Sequence, residues 1–144
     1  MMKVEQISVF LENKAGRLAE LTQTLMEANV NIRALSLADT NEFGVLRLIV
    51  DDNEAAEASI KKAGFTSGRT EVIAVEVEDR PGGLHFILET LQNAGINVEY
   101  MYAFVQPGGK QGIMIFRFEK VPEATKLLQS KGVTVLDGDT LYAM

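Results

Sequence analysis

Apolar and polar residues alternate at Ile7, Val9 and Leu11, and again at Ile73, Val75 and Val77. Successive side chains of a strand point to opposite faces, so each run predicts a strand with one apolar face. From Leu18 the period lengthens: Leu18, Leu21, Leu25 and Ala28 recur at spacings of three and four, the apolar stripe of a helix. Leu84, Ile87, Leu88, Leu91 and Ala94 repeat that stripe. Asn29 and Gly95 are expected to end these helices, because both residue types tolerate the left-handed conformation at a helix exit. Strands near 32–39 and 98–106 follow, then turns at Asn41–Phe43 and Pro107–Lys110, then strands near 44–50 and 111–118, which reads as two hairpins. Asp52 or Asn53 can cap a second helix that holds Ala55, Ala56, Ile60 and Ala63, with Gly64 as its stop. Its counterpart carries Pro122 in the first turn, then Ala124, Leu127 and Leu128 before Gly132. A fourth strand over 65–70 runs almost directly into 72–78. Its partner is expected at 133–137, with Leu141–Met144 adding to a sheet edge.

The pattern is written twice. A shift of 66 pairs Ile7 with Ile73, Gly16 with Gly82, Leu25 with Leu91, and Val30-Asn31-Ile32 with Ile96-Asn97-Val98. After a slip of two residues, Gly44 pairs with Gly112 and Gly64 with Gly132. Internal repeats of this kind mark a duplicated structural unit. The predicted fold class is therefore α+β: a ferredoxin-like βαββαβ module duplicated in tandem, its antiparallel sheets carrying helices on one face. The domains are 1–70 and 71–144, with almost no linker.

Composition narrows the function more than the fold. The net charge is −6, and each half carries the same excess: eight basic against eleven acidic residues in 1–71, six against nine in 72–144. With no basic arm, nucleic-acid binding through phosphate neutralisation is disfavoured. Cysteine is absent, which removes disulfides, thiolate nucleophiles and Cys-based zinc sites. No apolar run approaches the roughly 20 residues of a membrane span. The start, MMKVEQISVFLE, lacks the pattern of a secretory peptide, so a cytoplasmic protein is expected.

The candidate chemistry sits at the first strand-to-helix turn, Glu12-Asn13-Lys14-Ala15-Gly16-Arg17-Leu18, repeated as Glu78-Asp79-Arg80-Pro81-Gly82-Gly83-Leu84. Pro81 suits a helix entry because it has no backbone donor to lose. Gly16 and Gly82 allow a tight turn and close approach of a ligand. Amide N–H groups of a first helical turn can hold a carboxylate. A turn that only caps its helix has the same sequence. Asn31 and Asn97, at the start of the second strand of each copy, read either as turn residues or as amides facing a zwitterion, since an amide both donates and accepts.

Together these strings resemble the ACT domain family, small regulatory modules that commonly bind amino acids. The resemblance is carried by VFLENKAGRLAELTQTLMEANVNIRALSL and VEVEDRPGGLHFILETLQNAGINVEYMYAF. It implies ligand-binding roles for Asn13, Lys14, Ala15, Gly16, Arg17, Leu18 and Asn31 in the first copy. In the second it implies them for Asp79, Arg80, Pro81, Gly82, Gly83, Leu84 and Asn97. Two departures stand out. Ala15 replaces the family's common proline and should loosen that turn, and Asp79 stands where amino-acid-binding relatives often have asparagine. The first copy thus better matches a serine-binding relative, while the second has the better family turn. ACT modules commonly pair side by side with ligands at the seam, which this chain can do internally or with a second chain, and a homodimer is expected. The reading is a non-catalytic sensor of an amino acid, without cofactor or metal. The alternative is a regulatory or structural partner of an amino-acid biosynthetic enzyme such as acetolactate synthase. Because the two turns diverge, one working site beside a mainly structural twin is expected.

Other residues add little. His85, the only histidine, lies beside a helical stripe and is assigned a partly exposed packing role. Glu76 and Glu78 share a strand face but match no recognised metal pattern. Tyr100, Tyr102 and Phe104 share one face of a strand, with Phe116 and Phe118 beside it, which predicts packing rather than base stacking.

Overall fold

The computed structural model describes residues 3–39, 42–104 and 111–144. Two compact units divide it: Glu5–Thr70, and Glu71–Met144 together with Lys3 and Val4.

The N-terminal unit holds β1 (Val4–Glu12), α1 (Arg17–Glu27), β2 (Ile32–Asp39), β3 (Phe43–Val50), α2 (Asn53–Lys62) and the start of β4 (Thr66–Glu78). Its strand order is β2-β3-β1-β4. The antiparallel register sets Ile7 opposite Leu48 and Val9 opposite Leu46, which brings the alternating apolar positions onto one face. Against that face pack Leu21 and Leu25 of α1 and Ile60 of α2, all at most 1% exposed. Each such side chain contributes about 1.5–3 kcal/mol by leaving water. Asp52 caps α2, its side chain accepting from Ala55 N at 3.0 Å.

The C-terminal unit repeats this plan with the rest of β4, α3 (Gly83–Asn93), β5 (Val98–Phe104), β6 (Gln111–Phe118), α4 (Val121–Ser130) and β7 (Val135–Leu136). There β4 lies between β6 and β7, and β6 also pairs with β5. Both units therefore share one order when strands are numbered within each repeat: second, third, first, fourth. One continuous strand, β4, ends the first repeat and begins the second. Ile73, Val75, Ile87, Leu91, Phe116 and Leu128 form the core, with the Phe116 and Phe118 rings stacked at 5.3 Å. Tyr102 and Phe104 are buried on the opposite face from these two, and Tyr100 is half-buried.

The helix exits follow the sequence reading: Asn29 has φ +58° and Gly95 φ +71°. Two strand expectations are corrected. Phe43 belongs to β3 rather than to a turn, because it pairs with Glu12. Leu141–Met144 does not add to a sheet edge. A short helix, α5 (Gly138–Tyr142), forms instead, because Asp137 accepts from Thr140 N at 2.9 Å and buries Leu141 behind its cap. The chain-terminal strand accordingly shrinks to Val135–Leu136. Asn41 and the expected turn at Pro107–Lys110 lie outside the described residues.

Candidate ligand site

Both turns are built the same way. The strand ends at Glu12 or Glu78, and Gly16 (φ +93°) or Gly82 (φ +87°) occupies the N-cap in the left-handed region. Residues with a Cβ pay about 1–2 kcal/mol for that conformation, so glycine is required by the backbone. Neither helix has a side-chain cap. Arg17 N donates to Lys14 O at 3.4 Å, and Gly83 N to Arg80 O at 3.0 Å. The first-copy turn, with Ala15 in place of proline, is the wider one. The amides that follow, of Leu18 and Ala19 and of Leu84 and His85, fall among the first-turn donors that a helix cannot satisfy itself.

The side chains around the turns differ. In the first copy Asn13 N donates to Glu42 O at 2.8 Å, and Lys14 Nζ lies 3.3 Å from Glu12. Arg17 crosses the turn, its guanidinium 4.4 Å over the Phe65 ring and 2.7 Å from Glu20. In the second copy Asp79 and Pro81 are exposed and Arg80 pairs with Glu78. Gly83 is buried, and a Cβ there would lie well under 3.0 Å from the Glu78 carbonyl oxygen. Leu84 packs against the C-terminal core, whereas Leu18 is 38% exposed.

Asn31 and Asn97 lie past the far ends of α1 and α3. Asn31 N donates to Asp51 Oδ1 at 2.9 Å and its carbonyl accepts from Asp51 N at 3.1 Å. It lines a cleft of 450 Å³ with Thr22, Met26 and Asn29. Asn97 lines the equivalent cleft, 370 Å³, with Leu88, Gln92 and Ile96. An 11-residue helix is about 16 Å long, so one amino acid cannot touch the turn and the asparagine of the same unit.

A further cavity of 310 Å³ opens at the start of α3, within the C-terminal unit. Glu76, Glu78, Arg80, Gly83, Lys131 and Thr134 line it, with Phe86, Ile87 and Val133 as its apolar wall. Of these, the family resemblance implies ligand contacts only for Arg80 and Gly83. Lys131 was missed. The signal was the mismatch between copies, where Ala63 stands for Lys131 and Phe10 for Glu76.

His85 does not pack: its side chain is 75% exposed and lies 3.2 Å from Glu89, one helical turn away. Position beside an apolar stripe was not enough to bury it. Among the described residues no cluster of His, Cys, Asp or Glu is placed to hold a metal ion, and no helix is long and apolar enough to cross a membrane.

No curated protein matches the sequence. Among solved structures, protein BT0572 from Bacteroides thetaiotaomicron is similar at 34% identity and TM-score 0.92, over 99% of this chain and 98% of that one. The regulatory subunit of aspartate kinase from Thermus thermophilus, in its ligand free form, is similar in fold. Its TM-score is 0.61 at 14% identity, over 90% of this chain and 93% of that one. The corresponding subunit from Thermus flavus gives 0.58 at 14% identity, over 90% of both chains. The sequence itself matches the family described as ACT domain pair over residues 2–144. The chain therefore belongs to the ACT domain pair family, a pair of non-catalytic regulatory modules.

Proposed function

We propose that the chain senses a free amino acid, held at a seam where two ACT modules meet. In this reading residues 1–70 and 71–144 are the two modules. The observation that carries it is the repeated glycine N-cap: neither α1 nor α3 is capped by a side chain, so first-turn amides stand ready for a carboxylate. The contacts would come from Asn13, Lys14, Ala15, Gly16, Arg17, Leu18 and Asn31, and from Asp79, Arg80, Pro81, Gly82, Gly83, Leu84 and Asn97. Because turn and asparagine stand at opposite ends of a helix, a ligand using both takes them from different modules.

Isothermal titration against the twenty amino acids tests the reading. At least one should give heat and a thermal shift at millimolar concentration, and silence from all twenty sinks it. Asn13→Ala and Asn31→Ala should weaken binding if the first copy contributes.

The second reading is a regulatory subunit of a separate amino-acid biosynthetic enzyme, acetolactate synthase being one such target. The fold shared with the regulatory subunits of aspartate kinase favours it. Copurification of a biosynthetic enzyme with the tagged full chain would support this reading, and a homodimer free of other subunits would oppose it.

A further inference from the structure

We infer that the cleft between α4 and the β4–β7 edge, in the C-terminal unit, binds a small aliphatic carboxylate. It shares no residue with the amino-acid reading and goes beyond it.

The cleft holds 350 Å³, at the small end of the roughly 300–1,000 Å³ of ligand clefts. It opens because β7 covers β4 only at Ala74 and Val75, after which Asp137 turns the chain into α5. Val135 stands opposite Val75, so it shares with Ile73 the face packed in the C-terminal core. Val121 and Thr125, one turn apart, supply the α4 side. The wall is therefore aliphatic, with no aromatic ring. The polar rim is unbalanced. Lys3 lies 4.0 Å from Glu71, the one acid of the cleft. Lys126 has no ion-pair partner among the described residues, and Gln129, one turn on, adds an amide that can donate. One surplus positive charge beside an apolar wall suits a carboxylate head on a hydrocarbon tail. An amino acid fits worse, because its ammonium would compete with Lys3 for Glu71 and be repelled by Lys126.

The N-terminal unit shows the same flank filled. There Arg69 reaches Glu5 at 3.7 Å, Glu54 at 3.3 Å, and Glu57. The repeat aligns Arg69 with Asp137, Glu5 with Glu71, Glu54 with Pro122, Glu57 with Thr125 and Ala58 with Lys126. In the C-terminal unit the filling guanidinium is gone, since Asp137 instead accepts from Thr140 N in the α5 cap. Loss of the arginine alone would leave an acidic pocket suited to a cation. Two of the three acids have gone with it, and a lysine has been added. Counting Lys61, the counterpart of Gln129, the first flank carries three acids and two bases, the second one acid and two bases. The sign of the flank is reversed, and the space left by the arginine favours an anion.

The test is calorimetric titration of the full chain with isovalerate and hexanoate, beside acetate, isovaleramide and isoamylamine. At least one of the two acids should bind once per chain. Isovaleramide and isoamylamine keep a tail and change the head, acetate lacks the tail, and each should bind about tenfold more weakly or not at all. Lys126→Gln should lose about tenfold in affinity, and Lys126→Arg should stay within about threefold. Lys62→Gln, a charge-matched control on α2, should bind as wild type. Thr125→Phe fills the cleft and should abolish binding while circular dichroism shows its helices intact. Should that variant fail to fold, Lys126→Gln, at an exposed position, decides the matter. Silence from both acids at millimolar concentration overturns the site, as does equal binding of isovaleramide or unchanged affinity in Lys126→Gln. Asn31→Ala should bind the acid as wild type does, and a loss there would move the carboxylate to the amino-acid site and overturn this one. Failure of this cleft leaves the amino-acid reading untouched, because the two share no residue.

Discussion

Gly83→Ala offers the most direct test of how the second turn is built. The added methyl would sit 3.0 Å from the Glu78 carbonyl carbon and closer still to its oxygen, a separation that real Cβ atoms do not show. Both sides of this clash are backbone: one is the first residue of α3, the other the last residue of β4. No rotamer change relieves it. Overpacking of this kind costs about 1–3 kcal/mol. Displacing Glu78 O also weakens the bond it accepts from Arg80 N at 2.9 Å, worth about 1 kcal/mol. Alanine's better helix propensity returns up to about 1 kcal/mol. The net expectation is a loss of about 1–3 kcal/mol. Urea unfolding followed by tyrosine fluorescence isolates the effect, because Tyr100, Tyr102 and Tyr142 all lie in the C-terminal unit and the chain has no tryptophan. With a slope of about 1–3 kcal/mol per molar urea, a loss of 2 kcal/mol moves the midpoint by roughly 1 M. Gly112→Ala serves as control, since a Cβ there meets Val77 O at an ordinary 3.6 Å. If Gly83→Ala unfolds at or above the midpoint of Gly112→Ala, the steric argument is wrong.

Leu91→Ala, at a position 1% exposed in the core of α3, should cost about 2–5 kcal/mol in the same urea assay, and a loss below 1 kcal/mol would contradict its placement. Arg17→Ala removes the contact over Phe65 and should cost about 0.5–1 kcal/mol, read as a lower urea midpoint by circular dichroism; an unchanged midpoint would make that contact idle. Asp137 is held below its ordinary pKa of 3.8, first by the backbone hydrogen bond from Thr140 and then by the Thr140 side chain. A depressed carboxylate stabilises the fold above its unfolded pKa, and the contribution is lost as pH falls through the folded value. Acid titration below about pH 4 should therefore destabilise the wild-type end of the chain more than that of Asp137→Asn, and parallel acid limbs would refute the cap.

The repeat made most of the fold readable, because two independent copies of each period agree. Strand alternation at Ile7 and Ile73 and helical spacing at Leu21 and Ile87 pointed to the same elements and the same buried face. Legibility failed where only one copy speaks. Residues 138–142 have no counterpart in the first repeat, and four apolar or small residues near the end read as an edge strand. The Asp137 cap, a local hydrogen bond, instead starts a helix at Gly138 that ends at Tyr142. His85 failed for a related reason. A residue adjacent to an apolar stripe can face either way, and His85 faces solvent, its Nε2 3.2 Å from the Glu89 carboxylate one turn on. At the candidate site, the turn and its glycines were legible because left-handed backbone leaves a residue-type signature. Glu76 and Lys131 were not, because they lie 55 positions apart and only the return of the chain from α4 toward β7 brings them to one cavity.

The two turns show how duplication separates backbone from chemistry. Gly16 and Gly82 differ by only 6° in φ, and each cap feeds its helix through the same fourth-residue bond, Glu20 N to Gly16 O and Phe86 N to Gly82 O. That geometry is a folding requirement, so each copy keeps it whether or not it binds anything. The next residue is free of that requirement in one copy and bound by another in the other. Position 17 takes a long cation that lies over Phe65, while position 83 admits no side chain at all. A shared turn therefore does not imply a shared ligand. What distinguishes the copies is what stands at the helix start: an arginine lying over a ring in one, an open cavity in the other.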